Sequence, residues 1–261
     1  MHWVYKMCKV KVALHIFAFK EIYMKNLLII FTRVPIEGHT KTRLEDFLTK
    51  KDIVLFHKNL IKRLVNELKS DKWYLEVHAT PFDKVNALKE FLPNEVYKAQ
   101  AEGNLFERME VAIDAALKTH EKVALIGSDI YDISKKDIEA AFAALDTNDI
   151  VFNPSSDGGY SLVASKINLA NKLNIDFKNK SMILEETIKN SNTSLIKSLR
   201  VIDDIDTKED LLYNYFGKNV YFLSKDEIIL DGKKIKLDET IFYDLININN
   251  WGNNNEEEKL I

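Results

Sequence analysis

The chain has 261 residues, of which 46% are hydrophobic and 30% charged, and this composition predicts one large α/β domain with a small appendage. Its formal net charge of −3 gives no support for nonspecific nucleic-acid binding, which needs a broad basic surface. The single cysteine, Cys8, excludes an intrachain disulfide framework and a multi-thiolate metal site, and it fits the cytoplasmic location that we expect.

The first 23 residues form a segment that we place outside the core. Three lysines precede the apolar run 12–19, an order that loosely imitates a signal peptide. His15 interrupts that run, which is also far shorter than the roughly 20 apolar residues of a membrane-spanning helix. We therefore expect residues 1–23 to be an N-terminal extension without stable membrane insertion, and the core domain to start at Met24.

Between residues 24 and 217, strand-like and helix-like patterns alternate, as expected for a sheet built from βαβ units. Strands are predicted at 27–31, 73–79, near Val96, and at 123–126, 150–152, 160–164 and 195–201. Helices are predicted at 51–69, 83–91, 105–117, 135–145, 167–173 and 181–190, and a last one from a capping box at Thr207 to Gly217. We expect residues 24–217 to form one domain.

After Gly217, the pattern of apolar residues changes from alternating strands and helices to short strands. Short strands are predicted at 220–223, 227–230 and 233–237, and Asp231-Gly232 between the last two is a strong hairpin signal. The polar run 253–258 is predicted to be disordered. Residues 218–261 are therefore predicted to be a β-rich appendage with a polar tail.

The loop after the first strand is the most informative segment, because it carries three cations, Arg33, Lys41 and Arg43. In open α/β sheets, ligands bind in the crevice at the carboxyl ends of the strands. Pro35 and Gly38 bend the loop, which favours an ordered phosphate site over the alternative of a solvated basic loop. We expect this loop to bind a phosphorylated ligand, in the first place a nucleotide diphosphate.

Two acidic segments are candidates for a metal site at the same edge. Asp129, in Gly127-Ser128-Asp129, directly follows the predicted strand 123–126, and Asp206 ends an acidic run before a helix. Mg²⁺ and Mn²⁺ prefer carboxylate, phosphate and water oxygens, so one or two protein acids plus a diphosphate suffice. The structural alternatives are a turn or cap for Asp129 and a helix N-cap for Asp206.

Two further segments are weaker candidates. Asp157-Gly158-Gly159-Tyr160 offers an acid above the sheet and a ring for a sugar or base, with a plain β-turn and core burial as alternatives. Gly103 and Asn104 begin a helix with exposed amides, which is an anion-friendly position, and Arg108 adds charge in its first turn.

Other motifs of nucleotide-binding and hydrolytic sites are missing. A Walker loop is excluded because its first glycine is absent and Lys41 lies three residues after Gly38. No predicted strand is followed by G-x-G-x-x-G, and Ser128 lacks the G-x-S-x-G context of serine hydrolases. The six histidines show no H-x-x-x-H pair, which disfavours a zinc site.

Five segments, each weak alone, are specific as an ordered set. They are Phe31-x-Arg33-x-Pro35-x-x-Gly38-x-x-Lys41-Thr42-Arg43-Leu44, Gln100-x-x-Gly103-Asn104-Leu105-x-x-Arg108-Met109, Leu125-Ile126-Gly127-Ser128-Asp129, Asp157-Gly158-Gly159-Tyr160 and Asp204-x-Asp206-Thr207-x-Glu209-Asp210-Leu211. Over residues 26–212 this set resembles the DUF2064 group of glycosyltransferase-like proteins, which are similar to the phospholactate guanylyltransferases and are sometimes linked to arsenosugar biosynthesis. The resemblance implies a GT-A, nucleotide-diphospho-sugar transferase fold: an α/β, mostly parallel mixed sheet sandwiched by helices. The small C-terminal β-hairpin appendage is predicted from residues 218–261 themselves, which the resemblance does not cover.

The resemblance also implies roles for single residues. Lys41, Asp129 and Asp157 are the expected catalytic residues, and Asp129 and Asp206 are the expected ligands of Mg²⁺ or Mn²⁺. The expected nucleotide-binding residues are Arg33, Gly38, Lys41, Arg43, Gly103, Asn104, Arg108, Ser128 and Tyr160. The implied activity is metal-dependent transfer of a sugar from a nucleotide-diphosphate donor to a small-molecule acceptor.

Two alternatives to this activity stay open. The same fold serves nucleotidyltransferases, in which a phosphorylated acceptor attacks a nucleoside triphosphate, although their loops usually carry more glycines than Gly38 alone. A nucleotide-binding protein without turnover is the second alternative, because the sequence departs from the family twice. Ile130-Tyr131-Asp132 stand where a proline is common, and Asn179-Lys180-Ser181 replace a tryptophan-threonine element. Both departures bear on acceptor binding.

Overall fold

A computed structural model describes residues 25–175, 179–217 and 220–251 of the chain. The predicted N-terminal extension, residues 1–23, and the tail 253–258 that is predicted to be disordered both lie outside the described residues. Within the described ranges, no helix has the length and apolar character that crossing a membrane requires.

The core is a seven-stranded mixed sheet with strand order β3-β2-β1-β4-β6-β5-β7. Its strands are β1 (Asn26–Arg33), β2 (Tyr74–Thr80), β3 (Val96–Ala99), β4 (Lys122–Gly127), β5 (Ile150–Pro154), β6 (Tyr160–Ser165) and β7 (Ile196–Ser198). Neighbouring strands are parallel, except that β6 runs antiparallel to both β4 and β5. The prediction of a mixed, mostly parallel sheet is confirmed.

One edge of this sheet collects the segments that the sequence singled out. β1 pairs in parallel with β2 and β4, so Arg33 at the end of β1 lies beside Thr80, and β4 ends on the same side. β5 runs in the same direction as β4, with β6 between them, so the turn from Pro154 to Tyr160 also lies there. The carboxyl ends of β1, β4 and β5 consequently border one region.

Helices cover both faces of the sheet. They are α1 (Lys50–Leu68), α2 (Asn86–Lys89), α3 (Leu105–Ala116), α4 (Lys135–Ala144), α5 (Ile183–Asn190), α6 (Lys208–Phe216) and α7 (Glu239–Ile246). α1 and α4 pack on the face that contains Leu28 and Ile30, whereas α3 packs on the face that contains Leu27 and Ile29. Both faces are apolar because successive side chains of a strand alternate between them, and β1 is buried on each side.

A three-stranded antiparallel sheet, β8 (Tyr221–Phe222), β9 (Glu227–Leu230) and β10 (Lys233–Lys236), follows α6. The predicted hairpin at Asp231-Gly232 joins β9 to β10, and both residues have positive φ, as a type I′ turn requires. This sheet, α6 and α7 share an apolar cluster with the amino-terminal half of α1, which includes Phe56. The domain boundary after residue 217 stays a prediction, but the C-terminal elements pack directly on α1.

The helix predicted at 167–173 is wrong, because this segment forms an irregular turn. Two acids of α3 bind its backbone amides. Glu110 accepts a hydrogen bond from Leu173 at 2.6 Å, and Asp114 accepts one from Leu169 at 2.6 Å. Buried backbone amides need a hydrogen-bond acceptor. Here the carboxylates of a neighbouring helix take the place of the internal hydrogen bonds that a helix would have supplied.

Two smaller differences concern helices. The helix predicted at 83–91 is a short 3₁₀ turn followed by the four-residue α2. The helix α7 was not among the predicted elements. Its signal is Asp238, an N-cap that accepts a hydrogen bond from the amide of Ile241 at 3.0 Å, followed by buried Leu245 and Ile246 at helical spacing.

Candidate functional site

A cavity of about 660 Å³ opens at the carboxyl edge of the sheet. Its wall combines the ends of β1 and β4, the basic loop, the start of α3 and the turn before β6. The polar residues that line it include Thr32, Arg33, Thr40, Lys41, Arg43, His57, Gln100, Arg108, Ser128, Asp129, Ser155, Asp157, Asp204 and Asp206. The basic loop and both predicted acidic segments therefore border one space.

Lys41 lies at the centre of the polar part of this wall. Its backbone adopts the left-handed conformation, with φ of 43°, which is uncommon for a residue other than glycine. Its side chain is buried, and Nζ lies 3.3 Å from Oδ2 of Asp129 and 3.9 Å from Oδ1 of Asp206, and donates to the carbonyl of Ile205. Backbone strain of this kind clusters at functional sites. The structure thus brings together the basic loop and both acids.

Asp129 is held in its ionised form. Burial opposes that charge, but Lys41 and a hydrogen bond from His57 hold the pKa of the Asp129 carboxyl well below its usual range. Ser128, the predicted nucleotide-site residue beside it, is itself buried and lies 2.9 Å from the hydroxyl of Thr32. Because Asp129 stays negative across the neutral range, it is suited to binding a cation.

Asp204 and Asp206 add negative charge to the same region. Arg43 donates to Oδ2 of Asp206 at 2.8 Å. Burial, and next the negative charges of Asp206 and Asp129, raise the pKa of Asp204 to about 6. The three carboxylates therefore lie close enough to repel one another. A nearby divalent cation would relieve that repulsion.

These residues fit a hard divalent cation such as Mg²⁺ or Mn²⁺. Such ions bind through one or two carboxylates and complete their shell with phosphate and water oxygens. Within the ranges that the structure describes, no three His, Cys, Asp or Glu side chains form a metal cage of their own. The chemistry of the donor set, oxygen only and incomplete, suits a cation that is bound together with a phosphorylated ligand.

A second positive region lies on the α3 side of the cavity. Burial, and next the charge of Arg33, lower the pKa of Arg108, so the two guanidinium groups lie near each other. Arg108 donates to Oε1 of Gln100 at 2.7 Å. The Gln100 amide nitrogen in turn donates to the carbonyls of Thr32 and His78 at 3.1 and 2.9 Å. A neutral amide thus orients Arg108 without cancelling its charge.

The turn before β6 closes another side of the cavity. Asp157 accepts hydrogen bonds from the hydroxyl of Ser155 and from the amide of Gly159, the latter at 2.9 Å. Both bonds use Oδ1, so Oδ2 is the oxygen available to a ligand. Tyr160 lines the cavity, but its ring also packs against Phe152, and burial raises the pKa of its hydroxyl. Tyr160 is therefore both a core residue and part of the cavity wall.

Gly158 fixes this turn against the segment that leads into α5. Its φ is 93°, and a Cβ added there would lie 2.1 Å from the carbonyl oxygen of Ser181. The amide of Leu184 donates to the carbonyl of Gly158 at 2.9 Å. Ser181, part of one departure from the family pattern, therefore contacts the turn that carries Asp157.

Gly158→Ala should destabilise the protein by about 2–4 kcal/mol, because it combines a disfavoured positive φ with a backbone clash. Gly217→Ala is the matched control, since Gly217 has a similar φ of 71° and open space around its Cα. The control should cost about 1 kcal/mol. Urea unfolding measures both changes in the free energy of unfolding, and equal values would contradict the close approach to Ser181.

Three predicted nucleotide-site residues lie outside the described cavity wall: Gly38, Gly103 and Asn104. Asn104 and Glu107 form a reciprocal cap at the start of α3. Oδ1 of Asn104 accepts from the amide of Glu107 at 3.0 Å, and Glu107 accepts from the amide of Asn104 at 2.8 Å. The Glu107 carboxylate therefore occupies the Asn104 amide, one of the two amides predicted to bind an anion.

The other departure from the family pattern serves packing. Ile130 is buried and forms a β-bridge with Asp204. The guanidinium of Arg63 lies 3.8 Å from the ring centroid of Tyr131. Asp132 accepts from Arg200 at 2.9 Å. These residues hold the segment after Asp129 in place without a proline.

His57, which was not predicted as a site residue, reaches the cavity from α1. Its ring contacts Thr40 of the basic loop and lies 3.3 Å from Oδ1 of Asp129. The signal was present, because His57 occupies a position on the apolar stripe that includes Ile53, Phe56 and Leu60. A titratable side chain at a core position of an amphipathic helix has to find polar partners.

The fold is that of the nucleotide-diphospho-sugar transferases, as predicted. A solved structure described as a "putative nucleotide-diphospho-sugar transferase" from Desulfovibrio desulfuricans G20 superposes with a TM-score of 0.66. It is 23% identical, and the match covers 73% of this chain and 86% of that one.

The resemblance to the DUF2064 family is also confirmed. The family model, described as an uncharacterized protein conserved in bacteria, matches residues 64–179. The basic loop precedes the matched segment. A curated relative, the 2-phospho-L-lactate guanylyltransferase of Methanobrevibacter smithii, is 26% identical over 172 residues, which is 66% of this chain and 76% of the relative.

Proposed function

We propose that this protein is a metal-dependent transferase that takes a sugar from a nucleotide-diphosphate donor and passes it to a small-molecule acceptor. The observation that carries the proposal is the position of the Lys41 ammonium between Asp129 and Asp206 at the carboxyl edge of the sheet. Cations from the loop meet acids from two later segments there, as a site for a metal-bound diphosphate requires. The fold shared with a nucleotide-diphospho-sugar transferase supports the same class of donor.

In this proposal, Lys41 and Arg43 bind the diphosphate, and Asp129 and Asp206 hold the divalent cation. When bound, the cation supplies positive charge to the diphosphate as it departs. Lys41 is fixed by its buried contacts before the ligand arrives, so it needs no reorganisation when charge develops on the leaving oxygen.

Asp157 is the residue that we assign to the acceptor. The acceptor oxygen forms a bond to the anomeric carbon, the bond from that carbon to the diphosphate oxygen breaks, and the acceptor hydroxyl loses its proton. Oδ2 of Asp157 accepts that proton, while Oδ1 stays bound to Ser155 and Gly159. The two-point support of Oδ1 holds the carboxylate in one orientation.

The paired arginines favour a second candidate, nucleotidyl transfer to an anionic acceptor. Arg33 and Arg108 both line the cavity, near enough for the charge of Arg33 to lower the pKa of Arg108, and Gln100 orients Arg108 without neutralising it. Such a pair suits a phosphate or carboxylate group. The curated relative is named as a guanylyltransferase. In this reaction, a phosphate oxygen of the acceptor attacks the α-phosphorus of a nucleoside triphosphate, and pyrophosphate leaves.

A panel of donors with Mg²⁺ or Mn²⁺ tests the two candidates. Sugar nucleotides should release the free nucleoside diphosphate, whereas nucleotidyl transfer would consume a triphosphate and release pyrophosphate. Arg108→Leu should lower kcat/KM about tenfold or more if Arg108 binds a reacting anion. Lys62→Leu is the control for loss of a positive charge, because Lys62 is exposed on α1 and does not line the cavity.

Each outcome of this panel is decisive. Release of a nucleoside diphosphate supports sugar transfer, and release of pyrophosphate assigns the second candidate instead. Tight metal-dependent nucleotide binding without turnover on any donor would overturn both and leave a nucleotide-binding protein.

A further inference from the structure

His57 contacts both halves of the site at once. It projects from the buried face of α1, and its side chain is only 2% exposed. One ring nitrogen, Nδ1, contacts the hydroxyl of Thr40, the residue directly before Lys41. The other, Nε2, lies 3.3 Å from Oδ1 of Asp129 and 3.4 Å from the hydroxyl of Ser128. The basic loop and the end of β4 are thus joined through one ring.

The chemistry of the partners fixes the direction of both contacts. A histidine ring that carries a single N–H donates from one nitrogen and accepts at the other. Ionised Asp129 can only accept a hydrogen bond, which places that N–H on Nε2. Nδ1 is then an acceptor, and the Thr40 hydroxyl donates to it. Nδ1 therefore serves the loop, while the N–H on Nε2 lies against Asp129 and the neighbouring hydroxyl of Ser128.

We propose that His57 is a positioning residue that sets the basic loop and the Asp129 carboxylate relative to each other. Nδ1 holds the loop through Thr40, and Nε2 holds Asp129. This inference rests on the proposed function for its consequence in catalysis, because the two groups it aligns are those assigned to the diphosphate and the cation.

The conformation of Lys41 explains why the loop needs such an anchor. Lys41 is in the left-handed region, which is unfavourable for a lysine and persists only when neighbouring contacts hold it. Thr40, directly before it, is 2% exposed and contacts His57. On the other side, the amide of Leu44 donates to the carbonyl of Lys41 at 2.9 Å. Loss of the Thr40 contact removes one of these two restraints.

Two conservative substitutions of His57 each keep one contact of the ring and remove the other. The side-chain amide of His57→Asn can occupy the position of Nδ1 but does not reach as far as Nε2. The longer His57→Gln can place its amide nitrogen at the position of Nε2 while leaving Nδ1 unmatched. Thr40→Val breaks the loop contact with the histidine in place, and Thr40→Ser keeps the hydroxyl. His120→Asn and His120→Gln are the matched controls, because His120 contacts Tyr74 and Ala116 outside this cavity.

Three measurements on the full chain report on the two contacts. Amide hydrogen exchange of His39 and Leu44 follows the loop, whose hydrogen bonds protect these amides. Electron paramagnetic resonance measures the affinity for Mn²⁺ in the presence of pyrophosphate, which supplies the phosphate oxygens that the carboxylates of the site leave open. The ¹⁵N spectrum of the His57 ring shows which nitrogen carries the proton, and thermal unfolding confirms that each variant is folded.

The wild-type ring should carry its proton on Nε2. His57→Gln and Thr40→Val should speed loop exchange about fivefold or more, since each removes one hydrogen bond, and should leave Mn²⁺ affinity nearly unchanged. His57→Asn should keep the loop protected but weaken Mn²⁺ binding about tenfold, as expected for loss of a partner behind a metal ligand. Thr40→Ser should behave as wild type.

The proposal is overturned if the ring proton lies on Nδ1, or if folded His57→Asn and His57→Gln change loop exchange and Mn²⁺ affinity alike. It is also overturned if neither variant differs from the His120 controls. A wild-type protein that binds no Mn²⁺ would instead count against the proposed metal-dependent function. In that case the ring proton and the exchange rates still decide the positioning role of His57.

Discussion

Lys41→Met should lower kcat/KM by about a hundredfold or more, which is the usual cost of removing one preorganised group that stabilises developing charge. The substitution nearly keeps the length of the side chain but removes the ammonium group of Lys41, which faces the two acids. Asp129 and Asp206 would then repel each other and any incoming diphosphate. Initial rates with the active donor, at saturating metal, measure the effect.

Arg43→Met is the comparison variant for this prediction, because Arg43 is also assigned to the diphosphate and contacts Asp206. Its side chain is 61% exposed, whereas that of Lys41 is 2% exposed. Charges in contact with solvent interact more weakly, so this variant should lose about tenfold at most. If folded Lys41→Met retained activity within a factor of about three, where a preorganised charge predicts a hundredfold loss, Lys41 would have no part in catalysis.

Asp129→Asn should reduce turnover by about a hundredfold or more, with a parallel loss of metal affinity. The amide has the same shape as the carboxylate, but it cannot supply the negative charge that Lys41 and His57 maintain by keeping the pKa of Asp129 low. Steady-state kinetics across a range of Mn²⁺ concentrations separates loss of metal binding from loss of turnover at saturation.

Asp226→Asn is the matched control for Asp129→Asn. Asp226 accepts a hydrogen bond from the hydroxyl of Ser224 at 2.9 Å, in the turn before β9, and does not line the cavity. Its activity should stay within about threefold of wild type, since it removes no group from the reacting centre. Normal metal binding and turnover in Asp129→Asn would show that the cation, if one is used, binds elsewhere.

Much of the fold could be predicted because its signals are local. The apolar runs 27–31 and 123–126 indicate buried parallel strands, and their carboxyl ends must meet at one edge. The charged residues that follow them, Lys41 and Asp129, therefore fall into one region. The Asp231-Gly232 hairpin and the capping box at Thr207 also depend on short-range chemistry alone.

The errors arose where distant residues decide the local structure. The segment 167–173 has a helical apolar pattern, but Glu110 and Asp114 bind its amides from another element. Asn104 and Glu107 have the spacing of a capping box, so the occupied helix start could have been recognised from the sequence. The contact of His57 with Thr40 and Asp129 could not have been recognised from the sequence, because it depends on how α1 crosses the edge of the sheet.

The central claim is that one cation and one diphosphate share the space between Lys41 and Asp129. Crystals grown with MnCl₂ and the nucleotide that binds in the donor panel would show the metal directly through its anomalous scattering. The account predicts a peak coordinated by the Asp129 carboxylate, with the diphosphate oxygens within hydrogen-bonding distance of Lys41 Nζ. An ordered nucleotide bound on another surface, with no manganese at Asp129, would contradict it.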